Sequence, residues 1–418
     1  PPGSRASGAP MSSSQPTTKR LTVAALSALT VFAVSANIVF AALLRAAREF
    51  GVTPDVMANV SACQFTGFFL SSIIGGVLAD RFGKKLVLQA GAVFLSVGAA
   101  CWGLSPRVSL TFVAGFVMGV GGGILESMSS ALLTDLFPDR KKFFLNLSQV
   151  AYCLGAIGGP ALMGQLLPLG VSWRSFFFGT SVCGMALLVL FSASRFPETP
   201  QVLRREISSR RPAVLRPFVL VSCVVIFLYV FAEMGSVTFI TVYLEQCLGS
   251  TEGWAIYAIS IFWGAMVVGR LACACLPEGG AYEIAIAALL FAGGVCHLLQ
   301  GLVTSWAWSV VLFGCTGLAF AGTWPLLVGA VATHTESSVS GAAIGLTVAC
   351  GSVGCMVASP VLGPVFVGAT PCRAFWMLAG TLFTASVLMA GLYFSRRRAS
   401  RMPASGGVSE RRRDDDTT

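Results

Sequence analysis

The sequence predicts an all-α integral membrane protein with twelve transmembrane helices, arranged as two pseudo-symmetric six-helix bundles. Composition is the first indication, since hydrophobic residues make up 55% of the 418 residues and charged residues only 11%, against roughly 25% charged residues in soluble domains. The charges are clustered, which leaves continuous apolar runs long enough to cross the ~30 Å hydrocarbon core as helices. A membrane β-barrel would instead show short segments in which apolar and polar residues alternate. The two halves of the chain also resemble each other, which indicates two related bundles.

Twelve apolar runs define the expected spans, and a polar stretch with three prolines divides them six and six. Residues 21–43 follow two basic residues as a signal peptide would, but the run is too long for one and takes part in the repeat, so we expect it to be retained. The expected spans are residues 21–43, 57–79, 86–103, 108–135, 144–167, 173–194, 217–245, 253–275, 282–303, 306–332, 338–366 and 372–394. The expected domains are a disordered N-terminus at 1–20, a first bundle at 21–194, a linker at 195–216, a second bundle at 217–395 and a disordered tail at 396–418.

The basic residues of the loops predict the orientation of the chain. If the spans alternate, all but five of the 28 Lys and Arg residues fall on one side, and the five are Arg45, Arg48, Arg107, Arg174 and Arg373. Because positively charged loops stay in the cytoplasm, both termini are expected there, and the plasma membrane is favoured over an internal membrane. The net charge of +10 then faces anionic lipid headgroups, which explains it better than nucleic-acid binding does.

Glycines and prolines recur at corresponding positions of the two halves. Gly75 in the second span corresponds to Gly269 in the eighth, and Gly159-Pro160 in the fifth span corresponds to Ser359-Pro360 in the eleventh. Parallel six-helix repeats are a common plan of secondary transporters, with the solute site between them near the middle of the membrane. The architecture therefore favours transport by alternating access of two bundles.

The loop after the second span carries the sharpest motif, Gly75-Gly76-Val77-Leu78-Ala79-Asp80-Arg81-Phe82-Gly83-Lys84-Lys85. Gly75 permits close helix packing, and Gly83 permits a tight turn. Asp80 suits a helix N-terminus, and Arg81 is placed to pair with Asp135 at the end of the fourth span. The motif resembles the signature loop of the major facilitator superfamily, which implies the major facilitator fold and a cytoplasmic gate that includes all five of these residues. The alternative, favoured for the two lysines, is a solvated loop whose positive charges only set the topology.

Further segments resemble the fucose permease branch of that superfamily, whose members are sugar:proton symporters. They are residues 125–127, 145–149, 155–160, 229–233, 262–264 and 269–270. The resemblance implies that Glu126 takes the place of a proton-carrying glutamate, and that Asn146 and Gln149 take the place of sugar-facing residues. The paired aspartate of the branch falls near Phe40, where the sequence has no acid. Uniport without proton coupling is therefore the nearest variant.

Glu126 and Glu233 are the acids deepest within the expected spans. A carboxylate at the bilayer centre costs about 3 kcal/mol or more, so such a side chain faces a cavity or a partner. Burial favours its neutral, proton-carrying form, and a carrier whose charge is cancelled in this way can reorient. We therefore expect Glu126 to couple transport to protons and both acids to contact the solute. A protonated glutamate that only bonds one helix to another is the alternative.

Polar and aromatic side chains of other spans complete the expected solute site. Asn146 and Gln149 share one helix face, and their amides suit a hydroxyl-rich solute such as a sugar, although amides also bond helices to each other. The expected solute contacts are Asn37, Glu126, Asn146, Gln149, Glu233, Trp263 and Trp324. The two tryptophans suit either a platform under a sugar ring or core packing alone. Arg270 aligns with the motif loop of the first half, which favours a gate at the cytoplasmic edge.

Other functional classes find little support in the sequence. Most of the 13 cysteines lie in apolar runs, where they suit helix packing, and with only two histidines no metal site is expected. Neither a phosphate-binding glycine loop nor a nucleophile–base constellation is present, so we expect no cofactor and no enzyme activity. The expected partners are a small solute, protons and membrane lipids, without nucleic acid, and the expected state is a monomer.

Two rival functions stay open. The first is transport of a drug, an organic anion or an amino acid by the same machinery, although few positive charges within the spans disfavour a strongly anionic solute. The second is a receptor that uses the transporter scaffold without transporting, for which a large folded tail would be typical.

Overall fold

The computed structural model describes residues 15–196, 216–274, 282–335 and 337–401. Within these ranges the chain is helical apart from short connections, and it contains no strand. The helices of the first half are α1 (Gln15–Phe50), α2 (Pro54–Phe82), α3 (Lys84–Leu104), α4 (Val108–Leu136), α5 (Lys141–Leu166) and α6 (Trp173–Ser192). Those of the second half are α7 (Pro217–Val242), α8 (Glu252–Ala274), α9 (Tyr282–Gln300), α10 (Trp306–Phe320), α11 (Thr323–His334), α12 (Ser337–Val367) and α13 (Cys372–Arg401).

The thirteen helices of the described ranges form twelve spans. Of the described segments, eleven are long and apolar enough to cross a membrane, and α10 with α11 counts as one of them, residues 306–334. The remaining span is α5, whose first turns carry the polar residues Asn146, Ser148 and Gln149. The predicted all-α membrane fold with twelve spans is confirmed. Because the number is even, α1 begins and α13 ends at the same face, here called the terminal face, and the other is called the opposite face.

The ends of the described chain differ from the sequence-based expectation of disorder. Helix α1 begins at Gln15, so residues 15–20 are helical, and α13 continues to Arg401, so residues 396–401 are helical as well. Both extensions carry basic side chains, which suit the headgroup region beyond the hydrocarbon core, while the helical backbone satisfies its own hydrogen bonds. The expected disorder of residues 1–14 and 402–418, and residues 197–215 of the expected linker, lie outside the described residues.

Helix α4 is held between α2 and α3 by glycines. A Cβ atom at Gly119 would overlap the carbonyl of Gln64 in α2, and one at Gly121 would overlap the backbone of Leu95 in α3. Small residues of this kind let the backbones of membrane helices approach closely. The position of α4, and with it that of Glu126 near its middle, is therefore fixed by packing on two sides.

The two halves meet along the pairs α2–α12 and α5–α8, with further contacts from α1 to α7 and α8. Proline interrupts one helix of each pair, at Pro160 in α5 and at Pro360 in α12. A proline inside a helix removes one backbone hydrogen bond and bends the helix. The two prolines correspond in the repeat, so the same backbone hydrogen bond is absent at equivalent positions of the interface between the halves.

Candidate functional site

Three charged side chains from three helices come together between the halves. Glu126 is on α4 of the first half, whereas Glu233 and Arg270 are on α7 and α8 of the second half. The Arg270 guanidinium lies close enough to act electrostatically on both carboxyl groups. Charged side chains inside a membrane protein are expensive unless they face a cavity or each other. The cluster is therefore the first candidate for a solute site.

Arg270 reaches this cluster through the length of its side chain. The residue lies one turn before the end of α8, and long side chains on a helix lean toward its N-terminus, here toward the middle of the bundle. Its Nη1 atom donates to the Cys153 sulfur of α5 at 3.2 Å. The Cα atom of Arg270 lies near the membrane edge as the sequence predicted, its side chain reaches into the interface between the halves, and the gate role stays a prediction.

A second polar contact joins the halves next to the charged cluster. The Trp263 indole on α8 donates to the Asn37 amide oxygen on α1 at 2.7 Å, and the Asn37 amide nitrogen donates to the Ala33 carbonyl at 2.9 Å. The Tyr152 ring lies edge-on to Trp263, with 5.6 Å between ring centroids, and Tyr152 also interacts electrostatically with Glu126. Aromatic rings and an amide therefore border the two carboxyl groups.

The two carboxyl groups differ in their surroundings. Glu233 is 6% exposed and interacts with the Tyr229 hydroxyl, one turn away on α7. Glu126 is only partly buried, although it lies near the middle of α4 and faces Arg270 and Tyr152. Glu126 thus keeps some accessible surface while its carboxyl lies within reach of the Arg270 charge.

The expected solute contacts separate into two groups. Asn37, Glu126, Glu233 and Trp263 belong to the central cluster, and Arg270 joins them. Asn146 and Gln149 lie on the same face of α5 as Cys153, at intervals of three and four residues. Within the described part of the chain, neither side-chain amide has a hydrogen-bond partner. They follow one another from the terminal face toward Arg270. Trp324 lies on α11 and approaches Gly351 of α12.

On the opposite face, ion pairs join the two halves. Arg45 near the end of α1 donates two hydrogen bonds to the Glu252 carboxylate at the start of α8, at 2.5 and 2.6 Å. Arg48 donates to Glu245 beyond α7 at 2.5 Å. Deeper in the bundle, the Ser61 hydroxyl of α2 lies 2.7 Å from that of Ser359 in α12. These contacts close the opposite face across the halves.

On the terminal face, Lys84, Lys85 and Glu283 bond to side chains or carbonyls of their own half. In the first half Lys84 pairs with Asp135, and Lys85 donates to the Ser192 and Ser194 carbonyls at 2.9 and 3.0 Å. In the second half Glu283 accepts from His334 and Arg396. Helices α5 and α8 are joined by the hydrogen bond of Ser260 with the Ile157 carbonyl and by that of Arg270 with Cys153. Of these two bonds between described residues, that of Arg270 lies nearer the terminal face.

The motif loop adopts the expected turn but makes different ion pairs. Gly83 has a φ of 84°, which favours glycine, and it separates α2 from α3 by a single residue. Asp135 pairs with Lys84 and not with Arg81, which is exposed and lies over the Phe82 ring at 5.2 Å. The reason is that α3 begins at Lys84 and runs beside the end of α4, whereas Arg81 and Asp80 point outward. The lysines assigned to the solvated alternative therefore make the contacts.

Sequence reasoning missed several residues of the site and of the closed face. Tyr229 lies four residues before Glu233, so its place on the same face of α7 was accessible from spacing alone. Tyr152 and Cys153 were not, because nothing in the sequence says which face of α5 turns toward α8. Nor does any pattern pair Arg45 with Glu252, which is 207 residues away.

The comparison with protein families decides the family of this fold and site. The sequence profile of the Major Facilitator Superfamily matches residues 23–276, more than half of the chain. The chain belongs to the Major Facilitator Superfamily. As a member, it is a multi-pass membrane transporter, and the resemblance of its motif loop to that superfamily is confirmed.

Curated relatives within the superfamily carry different solutes in their names. Multidrug resistance protein MdtG of Dickeya zeae is 26% identical over 360 residues, which cover 82% of this chain and 86% of that protein. Probable anion transporter 4, chloroplastic, of Oryza sativa subsp. japonica is 30% identical over 175 residues, or 40% of this chain and 29% of that protein. The chain thus spans less than a third of that relative's length, and about a third of a putative metabolite transport protein of Bacillus subtilis (34%).

Solved structures share the fold at low sequence identity. A peptide transporter in complex with sulfate has a TM-score of 0.75 and 14% identity, and the likeness covers 91% of this chain and 95% of that chain. A D-xylose-proton symporter has a TM-score of 0.72 and 14% identity, with 89% and 97% covered. At this identity the likeness establishes the major facilitator fold and does not extend to the solute.

Proposed function

We propose that this chain moves a small polar solute across the membrane by alternating access, with the solute bound between the halves at Glu126, Glu233 and Arg270. The observation that carries the proposal is the meeting of these three charges, drawn from both halves, at the middle of a bundle whose other inner surfaces are largely apolar. Solute sites of transporters built from repeats lie at such interfaces, near the midplane.

Alternating access is supported by the unequal contacts at the two faces. Ion pairs and a serine pair join the halves at the opposite face, whereas the bonds of Lys84, Lys85 and Glu283 at the terminal face are made within one half. We propose that the terminal face, which carries most of the basic residues, is cytoplasmic in a plasma membrane, and that the conformation described here opens inward. The domain limits then follow the helices, with a first bundle of α1–α6 and a second bundle of α7–α13.

A hydroxyl-rich solute such as a sugar fits the uncharged side chains around the cluster. Asn146 and Gln149 offer free amides along α5 on the terminal side, whereas the Asn37 amide and the Trp263 indole bond to each other and border the cluster. Amides bond to hydroxyl groups as both donor and acceptor, and aromatic faces suit the apolar face of a sugar ring. The likeness of fold to a D-xylose-proton symporter is compatible with such a solute, and the fucose permease branch stays a prediction.

Coupling to protons is assigned to Glu126. It is the more accessible of the two central carboxyls, and it faces the positive charge of Arg270, so that gain or loss of its proton changes the balance of charge between the halves. A neutral cluster crosses the low-dielectric interior during reorientation more readily than a charged one. A proton gradient can therefore drive accumulation of the solute.

The test is uptake into proteoliposomes of a panel of sugars, drugs, organic anions and amino acids, with and without an inward pH gradient. We expect a polar solute to accumulate with the gradient in the wild type, and Glu126→Gln to transport it without pH dependence or not at all. The matched control is Glu49→Gln, since Glu49 bonds only to Trp173 and Arg174 within the first half. Unchanged pH dependence in Glu126→Gln would show that this carboxyl does not couple transport, and uptake confined to apolar drugs would contradict the polar solute.

A further inference from the structure

Arg270 is incompletely paired, although its guanidinium lies partly buried between the halves. Its Nε atom is buried and has no hydrogen-bond partner in the described residues. The bond that its Nη1 atom makes is to the Cys153 sulfur, and a thiol is a weak acceptor. A guanidinium offers five donors in a planar fork that fits a carboxylate with two parallel bonds. The donors of Arg270 thus have capacity for a carboxylate that the protein does not supply in this conformation.

The charges around Arg270 leave room for one added anion. The negative charges that act on Arg270 are those of Glu126 on α4 and Glu233 on α7. The other titratable groups of the cluster are Tyr152 and Cys153 of α5, Tyr229 of α7 and Cys355 of α12. Tyrosine and cysteine side chains are ordinarily neutral near pH 7. With one proton shared by the two glutamates the cluster is neutral, and with both glutamates protonated it carries one positive charge, that of Arg270.

We propose that the solute is a hydroxylated monocarboxylate, such as a sugar acid or a hydroxy acid, whose carboxylate is bound by Arg270. The inference rests on the proposed transport function and specifies its substrate class. The carboxylate would replace the weak thiol acceptor, while the hydroxyl groups meet the amides of Asn146 and Gln149 on α5. The expectation that a scarcity of positive charge disfavours an anion is outweighed by the central position of Arg270.

The proposal fixes the number of protons that accompany the solute. One monoanion enters a neutral cluster together with one proton, which comes from water and completes protonation of Glu126 and Glu233. The loaded cluster then holds one positive guanidinium and one negative carboxylate and is neutral, as the empty cluster is. Transport of the acid is therefore expected to carry one proton for each anion and to move no net charge, whereas a neutral solute with one proton would move a positive charge.

Matched solutes that differ in one carboxylate test the proposal on the full-length protein. We would measure thermal stabilisation and uptake with D-gluconate against D-sorbitol, and with L-lactate against propane-1,2-diol, for the wild type, Arg270→Gln, Arg270→Lys and Arg373→Gln. Arg373 is an exposed arginine at the start of α13 on the opposite face, so its replacement removes the same charge away from the cluster. Membrane currents on a solid support would report whether charge moves with the solute.

We expect one acid to bind at least about tenfold more tightly than its neutral partner in the wild type and in Arg373→Gln. We expect Arg270→Gln to lose that preference, Arg270→Lys to keep part of it, and acid uptake to acidify the vesicle lumen without a current. Equal binding of the acid and its neutral partner overturns this inference and leaves the proposed transport of a polar solute standing. The same holds if a folded Arg270→Gln loses binding of the acid and of the neutral partner to the same extent, because Arg270 would then be an internal counter-ion. If neither these four compounds nor any member of the panel of sugars, drugs, organic anions and amino acids is bound or taken up, both proposals are overturned.

Discussion

The two faces of the bundle are fastened in different ways. At the opposite face, Arg45 with Glu252 and Arg48 with Glu245 join one half to the other. At the terminal face, Lys84 with Asp135 and Glu283 with Arg396 each join helices of a single half. Contacts across the halves must break for alternating access, whereas contacts within a half can persist through it. The comparison therefore separates the bonds that set the conformation from those that keep each bundle rigid.

The bonds between the halves are weaker than the packing within each half, as alternating access requires. The ion pairs across the opposite face are partly exposed, with side-chain exposures of 38% and 19% for Arg45 and Glu252, and partly exposed pairs contribute about 0–1 kcal/mol each because water competes for them. A few such pairs bias a closed face without locking it. Within the halves, glycine-mediated backbone packing of α4 is added to the ion pairs, and it does not depend on access to water.

Reversing a charge at the closed face should have the largest effect. Arg45→Glu places two carboxylates together where an ion pair now lies, so the closed face should open and reorientation should be impaired, with uptake lowered about tenfold or more. Hydrogen–deuterium exchange should rise in residues 248–251, the connection between α7 and α8. The double exchange Arg45→Glu with Glu252→Arg should restore both uptake and protection.

The matched control for that charge reversal is Arg107→Glu. Arg107 is exposed on the same face, and no ion pair is found for it in the described part of the chain. If Arg107→Glu raised exchange in residues 248–251 as much as Arg45→Glu does, the effect would come from the charge of the face and the pair with Glu252 would not be what closes it.

Breaking a bond within one half should have an intermediate effect of a different kind. Glu283 accepts from His334 at 2.9 Å and from Arg396 at 2.6 Å and so ties α9, α11 and α13 together. Glu283→Gln should lower the free energy of unfolding by about 1–3 kcal/mol, because two donors lose a charged acceptor. Thermal unfolding should shift downward by a few degrees, while exchange in residues 248–251 stays as in the wild type. A rise in that exchange would mean that the terminal face of the second half communicates with the closed face.

The fold was predictable because the bilayer imposes strong rules on sequence. Runs of apolar residues predicted all twelve spans, α5 among them despite the polar residues of its first turns. Helix ends were less predictable, as the extensions of α1 to Gln15 and of α13 to Arg401 show. A charged helix in the headgroup region and a disordered tail have similar compositions, so sequence alone does not separate them.

The site was predictable where one helix carries the signal and less so where two helices must meet. Glu126 and Glu233 were identified as charges in apolar helices, and the structure brings both to Arg270. The reach of the Arg270 side chain was missed because alignment with the motif loop fixes the level of its Cα atom and not the direction of a long side chain. Pairs such as Arg45 with Glu252 depend on how two bundles are oriented, and no pattern within a helix encodes that.

Removing the ion pair of the motif loop should have the smallest effect and would sharpen the correction to that loop. Lys84→Ala should lower the free energy of unfolding by no more than about 1 kcal/mol, because Asp135 is 47% exposed and the pair is open to water. The loss should shrink in about 1 M salt, where exposed charges are screened over roughly 3 Å. Arg81→Ala is the matched variant, since Arg81 lies over Phe82 and should show little salt dependence. A salt-sensitive loss in Arg81→Ala with none in Lys84→Ala would return Asp135 to the partner that the sequence motif suggested, and would mean that the loop rearranges in the membrane.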